Sequence, residues 1–313
     1  MVASLKELAT REDRLTSGHR ACAGCGFPIV IKMVLMSTDD PVVVANATGC
    51  AEVCTSIYPY TAWNVPWIHS AFENTAASLS GVESAYRSLK KQGKIKDDRP
   101  IRFVAFGGDG GTYDIGLQAL SGAMERGHQL MYVCYDNGAY MNTGIQRSSA
   151  TPIGANTTTS PTGKKSFGKV QPRKDLAAIM AAHNIPYVGQ ASIHNHRDLM
   201  TKAEKGFKCD GPAFLNVFAP CRLGWGFDPK NILDICKLAV DSCMWPLFEV
   251  ENGVWKVNYK PRTKIPVADY LKTQTRFRHL FRPGNEEVLA QIQEDVDRRW
   301  ERLLEMEAIT NKK

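Results

Sequence analysis

The stretch Gly107–Gly144, GGDGGTYDIGLQALSGAMERGHQLMYVCYDNGAYMNTG, decides the reading of this chain of 313 residues. Ahead of it, Ile101–Phe106 is a mostly apolar run of strand length. After Asp114, the apolar residues Ile115, Ala119, Leu120, Ala123 and Met124 return at helical spacing, and Leu130–Tyr135 is a second apolar run of strand length. Strand, glycine turn, helix and strand make a βαβ unit, whose parallel strands end at one edge of a sheet, where α/β folds place their ligands. Asp109 follows the first strand and Asn137 the second, so the two side chains are expected to converge. Gly107, Gly108, Gly110 and Gly111 let the backbone approach an anion closely. A carboxylate, an amide oxygen and a backbone carbonyl are the hard ligands that an octahedral Mg²⁺ bridging to phosphate oxygens requires. The competing reading of the glycine run is an ordinary aspartate-glycine turn.

With the asparagine at the second strand end, the pattern resembles the thiamine-diphosphate-binding fingerprint. The resemblance implies Mg²⁺ held by Asp109, Asn137 and the backbone carbonyl of Ala139, with Gly108 and Gly110 in the cofactor loop.

Composition is that of a globular protein, 43% hydrophobic and 23% charged residues. No apolar run approaches the ~20 residues of a membrane span. The start, MVASLKELATREDRL, lacks the apolar core of a signal peptide, so a cytoplasmic location and reduced thiols for the nine cysteines are expected. The net charge of +7 is not organised into basic runs or basic-aromatic alternation, which argues against a nucleic-acid partner.

Residues 18–26, GHRACAGCG, place Cys22 and Cys25 in a C-x-x-C turn. Its spacing suits an iron–sulfur cluster with distant further ligands, a redox pair or half a zinc site. Pro41–Ala45 reads as a buried strand leading to Asn46-Ala47-Thr48-Gly49-Cys50. Cys54 lies one helical turn beyond Cys50, so one of this pair is expected to be packing. His69 precedes a small-residue helix over 75–87 and reads as a structural histidine.

Taken in order, Ala21–Gly26, Ala47–Cys50, Gly108–Gly110 and Tyr140–Gln146 resemble the β subunit of 2-oxoacid:ferredoxin oxidoreductases of the pyruvate-type branch. The likeness covers nearly the whole chain. It implies a thiamine-diphosphate-type α/β fold with a central parallel sheet and one [4Fe–4S] cluster on Cys22, Cys25, Cys50 and Cys221. It also implies Thr48 and Gly49 beside the cofactor, and Asn142 facing the reacting carbons, where its amide could donate to an oxyanion. Further implied are an α subunit supplying the pyrimidine half of the cofactor site, a ferredoxin-like electron-transfer subunit and external ferredoxin.

From Gln146 to Asp175 the chain is polar and turn-rich, which suits an anion site, a subunit contact or a solvated loop. Helical spacing resumes at Leu176, and Pro186–Val188 and Ala213–Phe218 read as the last buried strands. Ile232–Met244 reads as an amphipathic helix, and Trp245–Tyr259 as a hairpin turning at Glu251-Asn252-Gly253. Val267–Phe281 and Glu286–Met306 are expected to be closing helices, the last docking through Val288, Leu289, Ile292, Val296, Trp300, Leu303 and Leu304. The expected organisation is a cofactor domain over 1–225 and a C-terminal appendage over 226–313 that packs on it and on partner subunits. Arg222-Leu223-Gly224 stands where the pyruvate-type pattern has Pro-Thr-Gly. A guanidinium there could pair with a second substrate carboxylate, which favours oxalate over pyruvate; the competing reading is that Arg222 points to solvent or to a partner chain. The competing classes are a non-redox thiamine decarboxylase and a zinc- or thiol-binding protein.

Overall fold

Ten strands are present in residues 5–312, the part of the chain that the computed structural model describes. They are β1 (Val42–Ala47), β2 (Trp67–Ser70), β3 (Arg102–Gly108), β4 (Met131–Asp136), β5 (Thr162–Gly163), β6 (Ser166–Phe167), β7 (Tyr187–Ser192), β8 (Ala213–Phe218), β9 (Phe248–Glu251) and β10 (Val254–Val257). The first four residues of the N-terminal stretch read above lie outside the described residues.

Eight strands form one sheet in the order β10-β9-β7-β8-β4-β3-β1-β2, and β5 and β6 form a small separate hairpin. The six strands from β7 to β2 run parallel, and β9 and β10 are antiparallel additions. The fold is therefore α/β with a mainly parallel central sheet, as expected. Alternation along the strands divides the core between two faces. Val104, Phe106, Val133, Tyr135, Leu215 and Val217 pack on one side, against the helices Gly26–Leu35, His196–Lys208 and Ile232–Asp241. Phe103, Ala105, Tyr132, Cys134 and Phe214 pack on the other, against Thr75–Lys91, Leu117–Glu125 and Leu176–Ala181. Each fully buried Val, Leu or Phe contributes about 1.5–3 kcal/mol, so both helix layers are held chiefly by these side chains.

Register places the site. Gly108 pairs with Tyr135, and Asp136 pairs with Phe218. Asp109 and Asn137 each stand one residue past the carboxyl end of neighbouring strands. β1 flanks β3 with Asn46 opposite Phe106, which brings Thr48, Gly49 and Cys50 to the same edge.

Several local expectations change. Between β3 and the α-helix Leu117–Glu125 the chain makes a π-helical turn, Gly110–Ile115, and Ile115 is exposed instead of packed. The segment expected as one helix over 267–281 is split into an α-helix, Val267–Leu271, and a 3₁₀ segment, Thr275–Phe281. The break falls where the Thr273 hydroxyl bonds back to the Tyr270 carbonyl, a local competition with helix continuation. The hairpin turns at Asn252 and Gly253, both at positive φ (50° and 80°), as a tight two-residue turn demands. It is part of the central sheet, because β9 pairs with β7. The final helix, Glu286–Thr310, buries Ile292, Val296 and Leu303 on this chain's own core. Among the described residues no helix is long and apolar enough to cross a membrane.

Candidate functional site

A cavity opens at the carboxyl edge of β1, β3 and β4. Its lining includes Thr48, Gly49, Cys50, Gly108, Asp109, Gly110, Asn137, Ala139 and Asn142. These residues come from three strand ends and were singled out separately in the sequence.

Asp109 is 1% exposed, and its carboxylate accepts from the Asn137 backbone N–H at 3.3 Å and from the Ser148 hydroxyl. Burial raises its pKa well above the usual carboxylate range, and the neighbouring Asp136 adds to this. A negative charge placed there is stabilised by a cation. One tip atom of the Asn137 amide lies 2.9 Å from Asp109 Oδ1 and 2.9 Å from the Ala139 carbonyl oxygen. With its NH₂ at that tip, the amide donates to both. With its oxygen there, that atom stands 2.9 Å from each of two further oxygens, about the edge length of an octahedron whose metal–oxygen distance is roughly 2.0–2.1 Å. The donor set is hard and oxygen-only, and both spacings around the Asn137 tip suit an octahedral ion, so these residues fit Mg²⁺.

The cysteines lie beside this cavity. The Cys25 N–H donates to the Cys22 carbonyl at 3.1 Å, closing the C-x-x-C turn around Gly24, at φ 70°. A Cβ on Gly24 would come within 2.7 Å of Pro229, and the Gly26 N–H donates to the Pro220 carbonyl at 3.3 Å. The turn is thus packed on the segment that carries Cys221. Burial pushes the Cys25 thiol up to about 12, with Cys221, Cys22 and Cys54 adding to the rise. Burial likewise pushes Cys50 up to about 12, with Cys221, Cys25 and Cys54 adding, while the Asn142 side chain opposes the shift by hydrogen bonding. Cys22, Cys25, Cys50 and Cys221 therefore share one neighbourhood, which also includes Cys54. Among the described residues no three Cys, His, Asp or Glu side chains are placed to hold a single metal ion. Asn142 and Cys50 meet within the cavity.

Arg222 does not line the cavity. It opens the short helix Arg222–Trp225, which follows Cys221. His69 is tied to the site edge, its Nε2 lying 2.7 Å from the Thr48 hydroxyl.

Sequence reading missed the supports behind the loops. Trp225 is 1% exposed and its indole N–H donates to the Asn137 carbonyl at 2.7 Å. Arg276, 5% exposed, stacks over that indole at 3.9 Å. The Arg173 guanidinium pairs with buried Asp136 and stacks on Trp245 at 4.5 Å. Phe72, Tyr135, Tyr140, Met141 and Thr143 also line the cavity. The loop after Gln146 is substantially interior: Ser148, Ala150, Thr151 and Ala155 have no exposed surface.

Fold and site define a thiamine-diphosphate-type binding domain, and residues 47–217 match the family described as "Thiamine pyrophosphate enzyme, C-terminal TPP binding domain". Over its full length the chain is 53% identical to pyruvate synthase subunit PorB of Thermotoga maritima, covering 99% of that protein. It is 52% identical to the PorB subunit of Methanocaldococcus jannaschii, over 92% of this chain and 95% of that one. It is 42% identical to ketoisovalerate oxidoreductase subunit VorB of Pyrococcus abyssi, over 93% of each. Among solved structures, a chain of the 2-oxoglutarate:ferredoxin oxidoreductase of Magnetococcus marinus superposes with a TM-score of 0.55. That match is 21% identical over 71% of this chain and 72% of the other, a likeness of fold. The chain belongs to the β subunits of 2-oxoacid:ferredoxin oxidoreductases, of the pyruvate synthase type.

Proposed function

We propose that this chain is the thiamine-diphosphate-binding subunit of an enzyme that oxidatively decarboxylates pyruvate, transfers the acetyl group to coenzyme A and passes electrons to ferredoxin. The observation that carries the reading is the convergence of Asp109, Asn137 and the Ala139 carbonyl at one sheet edge. Those residues would hold Mg²⁺, with Thr48, Gly49, Gly108 and Gly110 shaping the cofactor cavity. When bound, thiamine diphosphate supplies the electron sink that decarboxylation of a 2-oxoacid needs. Asn142 offers an amide donor inside the cavity, suited to a developing oxyanion. Cys22, Cys25, Cys50 and Cys221 are proposed to hold a [4Fe–4S] cluster as thiolates, beside the same cavity. Proposed partners are an α subunit completing the pyrimidine side, a ferredoxin-like electron-transfer subunit and external ferredoxin. Residues 1–225 would carry both groups, and 226–313 would brace them and meet partner subunits.

Oxalate, favoured above on the strength of Arg222, is not supported by the comparisons. The relatives at 52–53% identity are pyruvate synthase subunits, and Arg222 is not among the residues that line the cavity. A branched 2-oxoacid is the second reading, favoured by the 42% identity to the VorB subunit. The test is viologen reduction by the anaerobically purified complex, offered pyruvate or 2-oxoisovalerate with coenzyme A, or oxalate without it. Pyruvate should give the highest kcat/KM. Turnover of oxalate with none of pyruvate would overturn the assignment.

A further inference from the structure

The Asp109 carboxylate has two oxygens: Oδ1 lies 2.9 Å from the Asn137 amide tip and accepts, among the described residues, only the long bond from the Asn137 backbone N–H, 3.3 Å. The other, Oδ2, accepts from the Ser148 hydroxyl, whose side chain has no exposed surface. That hydroxyl is itself held: the Ala150 N–H donates to Ser148 Oγ at 3.1 Å. With one lone pair occupied in this way, its proton is directed to the carboxylate. The same turn reaches the other ligand loop. Thr151 Oγ1 accepts from the Ser148 N–H at 2.9 Å and donates to the Gly138 carbonyl at 2.8 Å. Gly138 lies between Asn137 and Ala139. One serine-threonine turn from the loop after Gln146 thus grips both strand-end loops that carry the three oxygens.

We infer that Ser148 is a positioning residue for metal selection: by occupying Asp109 Oδ2 it leaves a single oxygen for the ion, so the site favours a small octahedral cation over Ca²⁺. The physical basis is the difference between the ions. Mg²⁺ demands near-ideal octahedral geometry at 2.0–2.1 Å. Ca²⁺ takes six to eight oxygens at 2.3–2.6 Å and readily uses both oxygens of one carboxylate. A carboxylate whose second oxygen is already engaged offers Ca²⁺ less than it offers Mg²⁺. The inference rests on the metal-diphosphate reading of the site given above.

The experiment measures retention of thiamine diphosphate by the intact complex, stripped of divalent ions and titrated with Mg²⁺ or Ca²⁺ under anaerobic equilibrium dialysis. Ser148→Ala should raise the Mg²⁺ midpoint by about 10–100-fold, the usual effect of removing a partner that orients a ligand. Its Ca²⁺ midpoint should move less or fall, so that the Mg²⁺/Ca²⁺ preference narrows. Ser148→Cys, with similar shape and a weaker donor, should narrow the preference by a smaller factor, and it carries the test should the alanine variant fail to assemble. A purely structural serine would shift both midpoints together. Equal shifts, or an unchanged preference in the variant that assembles, would overturn the inference. Absence of metal-dependent retention in the wild-type complex would instead remove the functional reading, and this inference with it.

Discussion

Asp109 and Asn137 show how different two ligands of one ion can be. Asp109 brings a charge that burial makes costly unless a cation is present, whereas Asn137 brings a neutral dipole. Asp109→Ala should therefore abolish thiamine diphosphate retention. Asn137→Ala should weaken it by about 10–100-fold, both read by dialysis of the complex. Unchanged cofactor content in Asp109→Ala would reduce the glycine run to a turn. Lys169 gives a pH prediction. It is 1% exposed and donates to the carbonyls of Thr151 and Pro172, and burial pushes its pKa down to about 7, with Arg147 and Arg173 adding to the fall. In the unfolded chain its pKa returns to about 10.4. Between these values the unfolded state holds the extra proton, so Lys169 makes stability rise with pH from about 7 to 10. Its slope approaches about 1.4 kcal/mol per pH unit within that window. Lys169→Met should lose that slope, as chemical denaturation across pH 7–10 would show; parallel stability curves for the two proteins would refute it. The ligand pair could be read from sequence because each follows an apolar run directly. Ser148, 39 positions from Asp109 in a segment without periodicity, could not.

Elements carry the next level. The π-helical turn Gly110–Ile115 and the loop after β4 are locked together, since the Tyr140 hydroxyl donates to the Gly110 carbonyl at 2.9 Å. A Cβ on Gly110 would fall 2.3 Å from the Tyr140 ring. Gly110→Ala must displace that ring and with it the segment from Ala139 to Asn142. Stability should fall by about 1–3 kcal/mol, as overpacking does, and cofactor affinity should fall with it. Wild-type affinity and melting temperature in this variant would contradict the locking. Most elements were legible in the sequence, because buried strands and amphipathic helices write their periods into it. The loop after Gln146 was not. Its Ser148, Thr151 and Arg173 look solvated, yet they satisfy interior backbone and carboxylate groups that only the folded chain brings near. Arg173 is the extreme case, a surface-type residue bound to buried Asp136 between aromatic rings.

At the scale of the whole molecule, Cys22 and Cys25, Cys50, and Cys221 come from the N-terminal turn, the end of β1 and the segment after β8. The fold makes them neighbours, and Cys54 with them. Changing any of the proposed four to Ser should remove or distort the charge-transfer absorption of the anaerobic complex, whereas Cys54→Ser should leave it intact. The reverse pattern for Cys50 and Cys54 would exchange their roles.

The two margins of the sheet differ. At β10 the final helix supplies side-chain acceptors to the backbone: the Trp255 N–H donates to Thr310 Oγ1 at 3.0 Å and the Val257 N–H to Glu307 Oε1 at 2.7 Å. That margin is sealed by the chain itself, as a soluble sheet must manage its unpaired groups. At the other margin β2 is four residues long, and among the described residues no strand lies beyond it. Seven strand spacings of about 4.8 Å, some 34 Å, separate the two margins. A foreign strand that lengthened this sheet would lie along β2, whose His69 reaches the Thr48 hydroxyl at the cavity edge. The architecture admits company at its working end and refuses it at the other.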